Sequence, residues 1–271
     1  MTNTIFEIDT LKLEVTQSQG NGPDVFLLHG NSSGAHTFNE LINSDLENKY
    51  NFISINLPGH GKSSLPSDFE LSIPNLSIII GKLVTTLAKP GYFLIGHSIG
   101  GHILSHAIPA LANCAGLILV SAPPVSLSTL AYVFKEDPCN GAIFKNEIAA
   151  DELDLMVNAL LGPAKSSLSC VENLTASIKS TDGNFRSKLG QSLGLGKIND
   201  EIANIQASKI PTAAIWGTED AFLQRSYCAD AQFDIALGNG NYEIKGAGHS
   251  PHLSHPNEFN AIIRTLLEHT N

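Results

Sequence analysis

Ser98 stands in the stretch Gly96-His97-Ser98-Ile99-Gly100, framed by a glycine two residues to either side. A serine hydroxyl is a weak nucleophile at neutral pH. It attacks a carbonyl only with a base to take its proton, a charged partner to hold that base, and N–H donors for the oxyanion that forms. In G-x-S-x-G the serine occupies a strained strand-to-helix turn, and the glycines remove side chains that would clash there. A chain with 23 glycines could contain this pentapeptide by chance. Its setting says more: the apolar run YFLI precedes it and GGHILSHAI follows it, giving strand, turn and helix in the order the chemistry requires. The pattern predicts Ser98 as a nucleophile.

Ten histidines could serve as the base. His249 alone lies in a glycine-rich loop, Gly246-Ala-Gly-His, after a late strand candidate, where open α/β sheets place their sites. His252 and His255 follow at three-residue intervals, but no carboxylate joins them at ligand spacing and Pro251 and Pro256 interrupt any shared helix, so no metal site is expected. The acid should fall between serine and histidine in chain order, at the end of another strand. TAAIWGTED supplies Glu219 and Asp220. Asp220 lies further around the loop beyond Gly217 and is the expected acid, with Glu219 as a solvated neighbour or substitute. Oxyanion donors are expected from the backbone N–H of Ile99, after the nucleophile, and of Asn31, in the loop after VFLLHG. His29 and Gly30 read as loop-shaping residues and His97 as a packing wall.

The elements needed to position these groups are legible as apolar, β-branched runs ending in turns: VFLLHG from Val25, FISINLPGHG from Phe52, YFLIGHS from Tyr92, GLILVSAPP from Gly116 and TAAIWGTED from Thr212. Such runs suit strands buried on both faces of a parallel sheet. Helical patterns between them, notably Ile78 to Leu87 and Gly100 to Leu111, make βαβ units. Ile5 to Val15 alternates apolar and polar residues ahead of Gly20, Gly22 and Pro23, suggesting an antiparallel edge hairpin. NYEIKGAG reads as a last strand and Pro256 to His269 as a closing helix. From Pro123 to Ser208 the strand signal stops and helical pieces such as Glu147 to Leu161 replace it, far more chain than one crossover needs. The expected organisation is a core from residues 1–122 and 209–271 with a helical cap inserted at 123–208.

The chain has 271 residues, 42% hydrophobic and 15% charged, which excludes a disordered or coiled-coil protein. A formal net charge of -10 without a Lys/Arg cluster disfavours nucleic acid. Four scattered cysteines lack a C-x-x-C pair and read as free thiols in a reducing compartment. No signal-like N-terminus and no apolar run long enough to span a bilayer is visible, so a cytoplasmic protein without membrane association is expected. Oligomeric state is not encoded in anything legible.

HGN at His29 to Asn31, LPGHGKS from Leu57, GHSIGG from Gly96, WGTED from Trp216 and GAGHS from Gly246 together resemble the α/β-hydrolase superfamily, over nearly the whole chain. HGNSSGAHTF, GLILVSAPPV, FKEDP and the cap sequence KSTDG are further similar to its metal-independent N-acyl-homoserine lactonases. That subgroup uses a glutamate as the acid; Asp220 stands at the corresponding place here. The resemblance implies a mostly parallel central sheet flanked by helices, and a catalytic set of Ser98, Asp220 and His249 with an oxyanion hole from Asn31 and Ile99. It implies no metal or cofactor, and a small ester or lactone as substrate, with acyl-homoserine lactone opening (quorum quenching) foremost. A serine at the elbow argues against the haloalkane dehalogenases and epoxide hydrolases, which attack with aspartate. The H-x-H-x-D-H of metal-dependent lactonases is missing. A general carboxylesterase or thioesterase is the alternative, and a slow-turnover ligand receptor the third. In the cap, Ile143, Phe144, Leu155, Met156, Leu160 and Leu161 are candidates to line an acyl slot.

Overall fold

In the computed structural model, described over residues 1–163 and 167–269, each apolar run is a strand. The strands are β1 (Thr2–Ile8), β2 (Leu11–Gln17), β3 (Asp24–Leu28), β4 (Asn51–Ile55), β5 (Tyr92–His97), β6 (Cys114–Val120), β7 (Thr212–Gly217) and β8 (Ala236–Ile244). They form one eight-stranded sheet in the order β1-β2-β4-β3-β5-β6-β7-β8. From β4 to β8 every pairing is parallel, while β1 with β2 and β2 with β4 are antiparallel. Alternate residues of β5 explain why its run is apolar throughout. Tyr92 and Leu94 enter one core and Phe93 and Ile95 the other, on opposite faces of the sheet.

The edge hairpin turns at Asp9, whose φ of 52° an aspartate tolerates better than most residues. Gly20 and Gly22, expected to supply turn residues, instead lie where the β2–β3 connection runs against Glu47 to Tyr50. A Cβ on Gly20 would sit 1.9 Å from the Tyr50 carbonyl oxygen.

The helices are α1 (Asn39–Ile42), α2 (Ile73–Leu87), α3 (Ile99–Ala107), α4 (Leu130–Val133), α5 (Ala150–Leu161), α6 (Leu168–Ser180), α7 (Gly183–Gly194), α8 (Glu201–Ser208), α9 (Arg225–Ala229), α10 (Pro251–Ser254) and α11 (Pro256–Glu268). Among those described, none is long and apolar enough to cross a membrane. α2 starts before the sequence pattern suggests, at the N-cap Ser72, whose Oγ accepts from Asn75 N at 3.3 Å; Pro74 falls in its first turn, where it breaks no hydrogen bond. α2 and α3 pack on one face of the sheet, α1 and α11 on the other.

Between β6 and β7 run α4 to α8, with a cluster of their own around Met156, Leu160, Leu174 and Ile178 that also takes in Phe222 and Leu253. Backbone bonds fasten this segment down, Asp182 N to Gly59 O at 2.9 Å and Ser250 N to Leu160 O at 2.8 Å, while Glu201 N to Val125 O at 2.9 Å joins its two ends. Buried Arg186 adds bonds to the carbonyls of Lys145 and Asn146 at 2.8 and 2.9 Å and to Ser32 Oγ at 3.3 Å. The end of α5 meets the loop before His249 so closely that a Cβ on Gly248 would lie 2.5 Å from Gly162 N.

Candidate active site

Ser98 joins β5 to α3 with φ 51° and ψ -124°. A non-glycine residue in this region costs on the order of 1–3 kcal/mol and persists only where its surroundings over-determine it. Here Ser98 N donates to Val120 O at 2.8 Å, and the Ser98 carbonyl accepts from Gly101 N and His102 N at 2.9 and 3.2 Å. Gly100 is required by close approach, since a Cβ there would fall 2.3 Å from the Leu28 carbonyl oxygen. The sharp turn exposes Oγ above the carboxyl ends of the strands.

His249 Nε2 lies 2.9 Å from Ser98 Oγ, and its Nδ1 lies 2.7 Å from Asp220 Oδ2. The other carboxylate oxygen of Asp220 accepts from Phe222 N at 2.8 Å and Leu223 N at 3.2 Å. Burial alone would raise the Asp220 pKa; the charge and hydrogen bond of His249, with the two backbone donors, outweigh it and hold the carboxyl below its ordinary value. An ionised Asp220 can only accept, so Nδ1 carries the imidazole proton and Nε2 turns its lone pair to the serine hydroxyl. The Glu219 side chain is exposed, and among the described residues it accepts only from Thr218 Oγ1, at 3.4 Å. The sequence-predicted Ser98, Asp220 and His249 are thus one hydrogen-bonded chain, from which Glu219 stands apart.

Asn31 and Ile99 border the same cavity as Ser98 and His249. Neither backbone N–H has an acceptor among the described residues, and Ile99, first in α3, has no preceding helical carbonyl to bond. The Asn31 side chain is fixed, Nδ2 donating to Ile143 O at 2.7 Å and Oδ1 accepting from Ser32 Oγ at 3.0 Å. His29 Nε2 accepts from Leu57 N at 3.0 Å while Nδ1 donates to Gly30 O at 2.7 Å, which ties the loop to β4's end. His97 donates from Nε2 to His249 O at 2.9 Å, and burial, with His249 adding to it, pushes its pKa down to about 3, so it stays neutral. His252, the middle histidine of the C-terminal set, stacks on Phe38 at 5.0 Å.

The cavity has a volume of about 410 Å³, walled mainly by apolar side chains including Ile143, Phe144, Met156, Leu160, Leu189 and Phe222. Of the other acyl-slot candidates, Leu155 is exposed and Leu161 packs into the core of the helical segment. A helical face only three to four residues wide points inward, and sequence spacing alone did not say which. Sequence reasoning also missed polar groups on this wall, among them Lys135, Asp137 and His102. Lys135 donates from Nζ to Asp220 O at 2.6 Å. His102, four residues beyond Ser98 on α3, contacts Glu201 through Nδ1 at 2.9 Å. The i to i+4 spacing could have found His102; nothing in the sequence pairs it with a glutamate 99 residues away.

A serine elbow at the topological centre of a mostly parallel sheet, with its histidine and acid on later strand ends, defines an α/β hydrolase. The chain belongs to the alpha/beta hydrolase family, whose model matches residues 25–262. Among curated relatives, an esterase of Mycobacterium tuberculosis, Rv0045c, is 22% identical over 92% of this chain and 84% of its own length. The pimeloyl-[acyl-carrier protein] methyl ester esterase of Aeromonas hydrophila is 23% identical over 90% of this chain and 95% of its own. In fold the chain is similar to the N-acyl homoserine lactonase AidH in complex with N-butanoyl homoserine, with a TM-score of 0.90 and 22% identity over 100% of this chain and 98% of that one. A thermophilic esterase from Thermogutta terrifontis has a TM-score of 0.80 at 19% identity, over 100% and 99% of the two chains.

Proposed function

We propose that this hydrolase cleaves a carboxylic ester or lactone through a covalent acyl-enzyme, and that its preferred substrate is an N-acyl-homoserine lactone. The observation that carries the reading is the Asp220–His249–Ser98 hydrogen-bonded chain ending at the mouth of an apolar chamber. Ser98 Oγ attacks the carbonyl while His249 Nε2 takes its proton, and Asp220 holds the tautomer and stabilises the imidazolium. The N–H groups of Asn31 and Ile99 receive the oxyanion. His249 then returns the proton to the leaving oxygen, which in a lactone stays tethered to the acyl group as a hydroxyl. Water, deprotonated by His249, attacks the acyl-serine and frees the acid, here an N-acyl-homoserine. No step calls for a metal or cofactor.

Residues 123–208 act in this reading as a cap whose apolar wall takes the acyl chain. The lactone is favoured over other esters by the full-length likeness in fold to AidH together with a chamber suited to an acyl chain. A general carboxylesterase is the second reading, favoured by relatives named as esterases that match over most of both lengths.

One panel separates them: p-nitrophenyl esters of rising chain length beside acyl-homoserine lactones, each with and without chelator. Lactone opening at least as efficient as ester cleavage, indifferent to chelator, is expected. Slow lactone opening beside fast ester cleavage would refute the lactone reading. Ser98→Ala should abolish steady-state turnover while melting as the parent does; full activity in that variant would overturn the mechanism.

A further inference from the structure

Glu201 is a fully buried carboxylate, at 0% exposure, one residue into α8. One oxygen accepts from Val125 N at 3.0 Å and from His102 Nδ1 at 2.9 Å; the other lies 3.1 Å from the same Nδ1 and 3.3 Å from His106 Nε2. Among the described residues its ion-pairing partners are these two histidines alone. An ionised carboxylate is tolerated at such depth only with a compensating cation. Burial of His102 disfavours its charged form, but the charge and hydrogen bond of Glu201 outweigh that and hold its pKa above the ordinary histidine value. Glu201, for its part, is held below the ordinary glutamate value against its own burial.

Structural fastening explains one side of His102. It does not explain the other. His102 lines the chamber, retains 10% of its side-chain exposure, and its Nε2 has no partner among the described residues. With Nδ1–H given to Glu201, a charged ring carries its second proton on Nε2. His102 stands in α3 four residues after Ser98, and both line the same chamber. A substrate whose carbonyl meets Ser98 Oγ therefore shares this chamber with the donor. The nearby wall, Ile73, Val125, Leu189, Leu193 and Ile198, is apolar, so a hydrogen bond made there is strengthened and a mismatch is penalised.

We propose that His102, held by Glu201, is a specificity-determining residue that donates a hydrogen bond from Nε2 to a second carbonyl oxygen of the substrate, on a carbon three bonds from the scissile carbonyl carbon. Identifying that oxygen as the amide carbonyl of an acylated homoserine lactone rests on the proposed function; the donor itself does not. Selection for acyl groups that carry an α-acylamido oxygen over plain fatty acyl groups follows from it.

The test compares substrates matched in length that differ in the amide carrying that oxygen: N-hexanoyl-homoserine lactone against an α-heptyl-γ-butyrolactone, and p-nitrophenyl N-hexanoylglycinate against p-nitrophenyl nonanoate. His102→Leu should raise KM about tenfold for the amide member of each pair, the loss of one charge-assisted hydrogen bond, and leave kcat and the plain member within about twofold. Glu201→Gln, which keeps the ring but removes its charge, should give an intermediate KM. Because His102→Leu strands a buried carboxylate, the double variant His102→Leu/Glu201→Gln is measured beside it and must show the same split. An equal shift for both members of a pair, or no shift for either, would overturn the proposal. If the parent enzyme opens neither lactone, the lactone reading fails and the ester pair alone decides His102.

Discussion

Acidification from pH 7 to pH 5 should destabilise this fold well before its carboxylates titrate. His29, His60, His97 and His252 are buried, and burial is the main cause holding each below the ordinary imidazole value, to about 4 for His60 and about 3 for His97. In the unfolded chain all four titrate near 6.5. A histidine whose folded pKa is lowered contributes its full stability above pH 6.5 and loses it as pH falls toward the folded value, because the unfolded chain binds a proton that the native state refuses. Inside that window each is worth about 1.4 kcal/mol per pH unit. His102 has the opposite sign: its raised pKa gives stability that is present below pH 6.5 and lost as pH rises through the folded value. Between pH 6 and pH 5 His102 is protonated in both states and offsets nothing, so the four leave roughly 5 kcal/mol per pH unit, a large part of the 5–15 kcal/mol typical of a whole protein. The assay is urea unfolding followed by the single tryptophan, Trp216, which is buried. With a slope of about 3 kcal/mol/M the midpoint should fall by more than about 1 M over that unit. His252→Phe removes two ring nitrogens that have no hydrogen-bond partner among the described residues and should flatten the dependence by about 1.4 kcal/mol per unit. A midpoint constant from pH 7 to pH 5, or an unchanged slope in His252→Phe, would refute the reasoning.

Asp220→Asn should keep the fold and cut kcat by about 10⁴, because an amide that donates to Nδ1 selects the wrong tautomer; a loss under tenfold in steady-state assays would remove Asp220 from the mechanism. Glu219→Gln should leave kcat/KM within about twofold, since that side chain is exposed. Gly100→Ala places a methyl against the Leu28 carbonyl at 2.3 Å, so both the melting temperature and kcat should fall, and a variant with parental values in both would show that the elbow tolerates bulk.

Much of the parallel sheet was legible because its strands are buried on both faces and therefore apolar at nearly every position. The elbow was legible for a related reason, in that Gly96 and Gly100 answer a steric demand made within a few residues of Ser98. Asp220 and His249 could be named because loops at strand ends carry them, although only the fold brings them together. What stayed hidden depends on contacts distant in sequence. Glu201 in α8 looks like an ordinary first-turn acid until the fold buries it against His102, His106 and the Val125 backbone. Leu155 and Met156 are adjacent and similarly apolar, yet one faces solvent and the other the chamber, a difference set by how α5 docks rather than by its composition. Gly20 was misread as a turn residue because glycine serves sharp turns and close backbone approach equally well, and only the neighbouring Tyr50 carbonyl separates the two.

The contact of Gly162 with Gly248, reinforced by Ser250 N bonded to Leu160 O at 2.8 Å, joins the end of α5 to the loop that carries His249. One wall of the chamber and the proposed base are therefore a single mechanical body. Drift that enlarges or shrinks the chamber through Met156 or Leu160 also shifts the imidazole, and under the proposed function selection for a new acyl length along that route meets a loss of turnover at each step. Leu189 and Leu193 of α7 line the same space without that linkage. Lineages that change chain-length preference and keep their rate should carry their substitutions there.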